Sequence, residues 1–183
     1  MMSEDTALPG VRILTPRRHA DARGVFCETF SRDALRAAGV DIDFVQDNQS
    51  RSPAKGTVRG LHFQAPPFAQ DKLVRVLRGA ILDVAIDLRR ASPTFGRHVG
   101  IELSAANWRQ LLVPMGFAHG FCTLEPDTEV FYKVSNVYSA AHDRGVKWDD
   151  PALAIRWPVD ASQAIVSEKD RAQPTLSELG SFF

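Results

Sequence analysis

Short apolar runs alternate with polar positions along this chain, and Gly, Pro, Asn and Asp separate one run from the next. A period of two over a few residues is the mark of a half-buried strand. The runs predict strands at Val11–Leu14, Gly24–Phe30, Asp43–Ser50, Val58–Phe63, Lys72–Arg78, Ala80–Asp87, His98–Leu103, Gln110–Val113, His119–Thr123, Glu129–Val134 and Ile155–Trp157. Gly79, in Arg78–Ala80, reads as a tight hairpin turn between two long runs. Only Ser31–Ala38 reads as helix, with Ser31 as its cap, Asp33 in its first turn and Gly39 at its end. Many short strands and little helix predict an all-β sandwich or barrel able to hold one small ligand.

The alternation also puts ionisable groups where apolar ones belong. Lys72 shares a face with Val74 and Val76, Asp83 with Ala85 and Asp87, and Tyr132 with Val130 and Val134. An unpaired charge on such a face costs several kcal/mol, roughly, so these residues form core ion pairs or a site. Singly, each has an ordinary explanation: a satisfied structural histidine, a core tyrosine, a lysine reaching water from a strand end. Their convergence on neighbouring strands favours a site. In "VRGLHFQ", Arg59 and His62 are three residues apart, so strict alternation sends them to opposite faces. For both to meet one ligand the strand must break register between them, and Gly60 is where a bulge costs least.

Composition narrows the partners. The chain has 183 residues, 44% hydrophobic and 24% charged, enough for one domain with a sizeable core. Residues 160–183 lose the strand pattern and are expected to wrap the barrel or a partner subunit. Lys+Arg and Asp+Glu are both 22, so no cationic excess points to nucleic acid. No apolar run approaches the roughly 18 residues of a membrane span. "MMSEDTALPG" does not read as a signal peptide. Two distant cysteines, Cys27 and Cys122, fit a reducing compartment, so a cytoplasmic location is expected.

"VPMGFAHGF" resembles the second motif of cupins, in which the histidine (here His119) often binds metal. The first motif would supply HxH and a nearby Glu; here the stretch reads His62-Phe63-Gln64 with no Glu before Lys72. Imidazoles without a carboxylate make a poor divalent site, so the cupin shape is expected without metal. A metal-dependent oxygenase using His62 and His119, and a ligand-binding cupin without catalysis, are the competing classes.

The runs "DARGVFCETF", "QDNQSRS", "GTVRGLHFQ", "QDKLVRVLRGAILDVAIDLRRASPTFG", "VPMGFAHGF", "VFYKVSNVYS" and "VKWDDPALAIRWP" occur in order over most of the chain. They resemble the dTDP-4-dehydrorhamnose 3,5-epimerase family. The resemblance implies a cupin-type jelly-roll homodimer that works without a cofactor. It also implies epimerisation of dTDP-4-keto-6-deoxy-glucose at C3 and C5. Epimerases of one centre and sugar ketoisomerases share the scaffold and are the alternatives. The resemblance makes His62 the general base, Asp170 its carboxylate partner, Tyr132 the proton donor and Lys72 the cation at the keto oxygen. It assigns substrate contacts to Arg23, Glu28, Gln46, Asn48, Arg59, His119, Asp143 and Lys169. Asp83 is expected to support Lys72. Two positions depart from the family pattern: His19 stands where Phe is common, and Asp143 where Glu is more frequent.

Overall fold

The computed structural model describes residues 1–183. Two antiparallel sheets face each other. The first contains β1 (Met2–Asp5), β2 (Arg12–Thr15), β5 (Gln46–Ser52), β7 (Lys72–Arg78), β10 (Gln110–Val113) and β12 (Thr128–Val134), in the order β1-β2-β10-β7-β12-β5. The second contains β6 (Val58–Gln64), β8 (Ala80–Asp87), β9 (His98–Ser104), β11 (Phe117–Thr123) and β13 (Asp143–Gly145), in the order β13-β6-β11-β8-β9. A separate hairpin pairs β3 (Arg18–Asp21) with β4 (Gly24–Cys27). This is the all-β architecture that the alternating pattern predicts, in the cupin-type jelly-roll form that the resemblance implies.

The inner faces meet in a cluster built by both sheets. Val74, Val76, Leu111, Val113 and Val130 come from the first, and Ile81, Ala85, Leu103, Phe117 and Phe121 from the second. Burying one such side chain is worth about 1.5–3 kcal/mol, so the cluster sets the register of every strand that feeds it. Outside the five-stranded sheet, Val84, Ile86 and Leu88 are covered from the C-terminal segment by Leu176, Leu179, Phe182 and Phe183. Outside the other sheet, α1 (Arg32–Ala37) lays Leu35 on Leu14, Leu73 and Leu112. Ser31 caps it by accepting from the Ala34 amide, as the sequence predicts. No helix is long and apolar enough to cross a membrane.

Two local expectations are corrected. The Arg78–Ala80 turn is no hairpin, because β7 and β8 belong to different sheets; Gly79, at φ +76°, carries the chain from one to the other. Thr128 packs against that glycine so closely that a Cβ there would lie 2.4 Å from its Oγ1. Ile155–Trp157 is not a strand. Its apolar side chains pack as a loop, with the Trp157 indole donating to the Trp148 carbonyl at 2.8 Å. β1, β3, β13 and α2 (Glu168–Arg171) were not foreseen, since MSED, RHAD, DRG and EKDR have no apolar alternation to reveal them.

Candidate active site

The expected break in β6 is present. His62 lies opposite His119 on β11, yet Phe121 lies opposite Arg59, so Gly60 and Leu61 together face Gly120. The extra residue returns Arg59 to the face of His62, and both line one cavity of about 510 Å³ between the sheets. Gly60 has φ +121°, and the Gly60–Leu61 peptide is cis. A Cβ at Gly60 would lie 2.6 Å from the Gly120 Cα and 2.8 Å from the His119 carbonyl oxygen. Both are backbone atoms that cannot swing aside. Gly60→Ala is therefore expected to cost roughly 2–3 kcal/mol and lower the melting temperature by about 5–10 °C in a calorimetric scan.

Asp170 arrives from α2. Ser167 caps this short helix and accepts the Asp170 amide at 3.1 Å, which fixes the backbone that carries the carboxylate. His62 Nε2 sits 2.6 Å from Asp170 Oδ1. A carboxylate can only accept, so Nε2 carries the proton and the imidazole lone pair is left on Nδ1. Asp170 Oδ2 accepts the Gly60 amide at 3.2 Å. Burial alone would raise the Asp170 carboxyl, but the hydrogen bond and charge of His62 and the Gly60 amide hold it below its ordinary value.

Lys72 and Tyr132 enter the same cavity from β7 and β12. Lys72 Nζ donates only a long hydrogen bond, 3.4 Å, to the His62 carbonyl. Burial pushes its ammonium down to about 8, against the opposing fields of Asp143 and Asp83. An ammonium is charged below its pKa and neutral above it. If its charge serves turnover, kcat/KM falls as pH rises through about 8, a limb that Lys72→Met removes. A profile flat to pH 10 excludes the lysine from that role. Burial raises the Tyr132 phenol, with Arg59 lowering it and Asp143 adding to the rise, so it stays protonated and can donate near neutrality.

A second compartment of about 260 Å³ opens beside the first and shares His62, Lys72, Tyr132 and Lys169 with it. Gln46, Asn48 and Asp143, which the resemblance assigns to substrate contacts, line it. Asp143 accepts from Lys169 and, at 3.2 Å, from the Tyr138 hydroxyl. The Asp143 hydrogen bond raises Lys169 above its ordinary value. Arg59 is held from behind, its Nε donating to Ser52 Oγ at 3.1 Å and its Nη2 to the Arg51 carbonyl at 3.3 Å.

A family model described as dTDP-4-dehydrorhamnose 3,5-epimerase matches residues 5–178. The dTDP-4-dehydrorhamnose 3,5-epimerase of Sinorhizobium fredii is 52% identical over 179 residues, which are 98% of this chain and 91% of the relative. A crystal structure of the Bacillus anthracis enzyme of that name, with TDP and PPi bound, superposes with a TM-score of 0.92. It is 53% identical, over 94% of this chain and 98% of its own. The Legionella pneumophila dTDP-6-deoxy-D-glucose-3,5-epimerase, in complex with dTDP-4-keto-L-rhamnose, gives 0.92 at 41% identity, over 97% and 94% of the two chains. The chain belongs to the dTDP-4-dehydrorhamnose 3,5-epimerase family.

Three assignments made for this epimerase from its sequence sit differently in the fold. Asp83 is not hydrogen-bonded to Lys72. It lies opposite Phe121 and accepts from His119 Nε2 at 2.6 Å, although its charge still favours the Lys72 cation. Its Oδ2 is buried without a partner. Arg23 lies at the exposed β3–β4 turn, where Asp21 binds it at 2.6 Å. Glu28 borders a different cavity, on the outer face of the six-stranded sheet with Phe30, Arg75 and Lys133. Neither lines the chamber of its own chain. Ser52, Ser167 and the Gly60 amide were missed, because their roles depend on which strands become neighbours.

Proposed function

We propose that this enzyme converts dTDP-4-dehydro-6-deoxy-D-glucose to dTDP-4-dehydro-L-rhamnose by inverting C3 and C5, without metal or cofactor. The observation that carries the reading is the shared chamber. The His62–Asp170 pair, Lys72, Tyr132 and Arg59 converge there from β6, α2, β7 and β12. The comparisons support the substrate, since relatives of this chain are described with TDP and with dTDP-4-keto-L-rhamnose bound.

The chemistry follows from the groups. His62 Nδ1 takes the proton from the carbon next to the C4 ketone, and Asp170 steadies the resulting imidazolium. The electron pair moves onto the C4 oxygen as an enolate beside the Lys72 ammonium. Tyr132 returns a proton to the other face of that carbon, and the centre is inverted. Once His62 has released its proton to solvent and Tyr132 has regained one, repetition at the second carbon completes the product. Arg59 suits the diphosphate, because a guanidinium fork matches phosphate oxygens in pairs. His119, Gln46, Asn48, Asp143 and Lys169 complete the substrate contacts.

We place Arg23 and Glu28 in the site of a second copy. The β3–β4 hairpin projects Phe26 and Val25, 72% and 52% exposed, beside Arg23, an apolar and cationic tip suited to a neighbouring chamber. The enzyme is then a homodimer in which each hairpin serves its partner, and sedimentation at the dimer mass checks it. Its free cysteines fit the cytoplasm, where we place it.

The deciding experiment is conversion of the dTDP-4-keto sugar in deuterium oxide, followed by proton NMR. Deuterium and inversion at both C3 and C5 are expected. Label at one carbon makes this an epimerase of a single centre, and an unchanged sugar sinks the reading.

A further inference from the structure

Asp170 divides its two oxygens between different parts of the site. Oδ1 takes His62, and Oδ2 takes the amide of Gly60, the residue around which β6 changes register. An extra residue in a bulge loses its ladder partner, and Asp170, only 4% exposed, supplies one from outside the sheet. Arg59 is the residue immediately before that amide. Its guanidinium hangs from Ser52 and the Arg51 carbonyl on β5, so the aim of its remaining N–H groups is set by that anchor at one end and by the bulge that carries its backbone at the other.

We infer that Asp170, beyond partnering the base, is the positioning residue for anion binding: by holding the Gly60 bulge closed it aims Arg59 at the ligand's diphosphate. The inference rests on the proposed substrate and extends it, since a residue of the proton-transfer pair then also sets nucleotide affinity. The segment carrying Asp170 is itself fastened to the start of β6. Ile165 N–H donates to the Gly56 carbonyl at 3.0 Å, the Val58 amide donates to the Ile165 carbonyl at 2.9 Å, and Ser167 accepts the Asp170 amide. Base and anion cradle are thereby referred to one strap.

Titration calorimetry with dTDP, which lacks the sugar, separates the two roles. Asp170→Asn keeps an oxygen for Gly60 while its NH2 faces His62, so affinity within about twofold of the unsubstituted enzyme is expected, with turnover lost. His62→Ala, which leaves the Gly60 contact in place, is expected to behave the same way. Asp170→Ala removes both contacts, and its dTDP dissociation constant is expected to rise about tenfold, with faster hydrogen exchange at the Gly60 amide. Unchanged affinity in Asp170→Ala overturns the inference, as does an equal loss in His62→Ala. Should Asp170→Ala fail to fold by circular dichroism, Ser167→Ala takes its place: about threefold weaker dTDP binding and faster Gly60 exchange are expected, and no change in either overturns the inference. Absence of dTDP binding by the unsubstituted enzyme is a failure of the proposed substrate instead, and Gly60 exchange still decides whether Asp170 holds the bulge.

Discussion

Replacing His62 by alanine is expected to stop deuterium incorporation at both C3 and C5 and to lower kcat by roughly 10²–10⁴-fold, the usual contribution of a positioned base. The His62 imidazole, paired with Asp170, is fitted to take a carbon-bound proton. Lys72 loses its proton only near pH 8, and Asp170 is held in its charged form and already accepts from two donors. The ketone acidifies the adjacent carbon, but removal still needs a lone pair beside it, and Nδ1 of His62 supplies one. The substitution leaves the Gly60–Asp170 contact intact, so KM is expected to move far less than kcat. Exchange at both carbons surviving in His62→Ala removes the histidine from the mechanism.

The inner-face chemistry of this fold was legible because alternation is a local property. Lys72 with Val74, Tyr132 with Val130 and Asp83 with Ala85 all face inward as their spacing requires. The bulge was legible for a related reason: an odd separation between two polar residues, with a glycine between them, cannot be reconciled with one flat strand. Partnership between strands is not local. Nothing in the period of β8 says that β11 lies beside it, so Asp83 was matched with Lys72 instead of His119. A glycine with positive φ serves a hairpin and a crossover equally, and Gly79 was read as the wrong one. Asp170 lies in a polar stretch without periodicity, and only the family resemblance pointed to it. Arg23 and Glu28 line neither compartment of their own chain, and nothing local in their sequence separates a residue that serves its own site from one that serves a second copy.

Tyr132→Phe is expected to separate proton removal from inversion. The phenol is the protonated acid on the β12 side of the chamber, kept so by burial, and phenylalanine fills its volume without the hydroxyl. His62 can still take the α-proton and, after exchange with solvent, return a deuteron to the same face. The variant should therefore incorporate deuterium with retention of configuration, while net epimerisation falls by roughly 10²–10⁴-fold. Dissociation constants for dTDP should hold, since Arg59 and its support on β5 are untouched. The measurement is proton NMR of recovered sugar in deuterium oxide, compared with product yield from the same reaction. Loss of exchange and inversion together would assign Tyr132 to formation of the enolate, by hydrogen-bonding the C4 oxygen. Retention of both would hand the opposite-face proton to another donor.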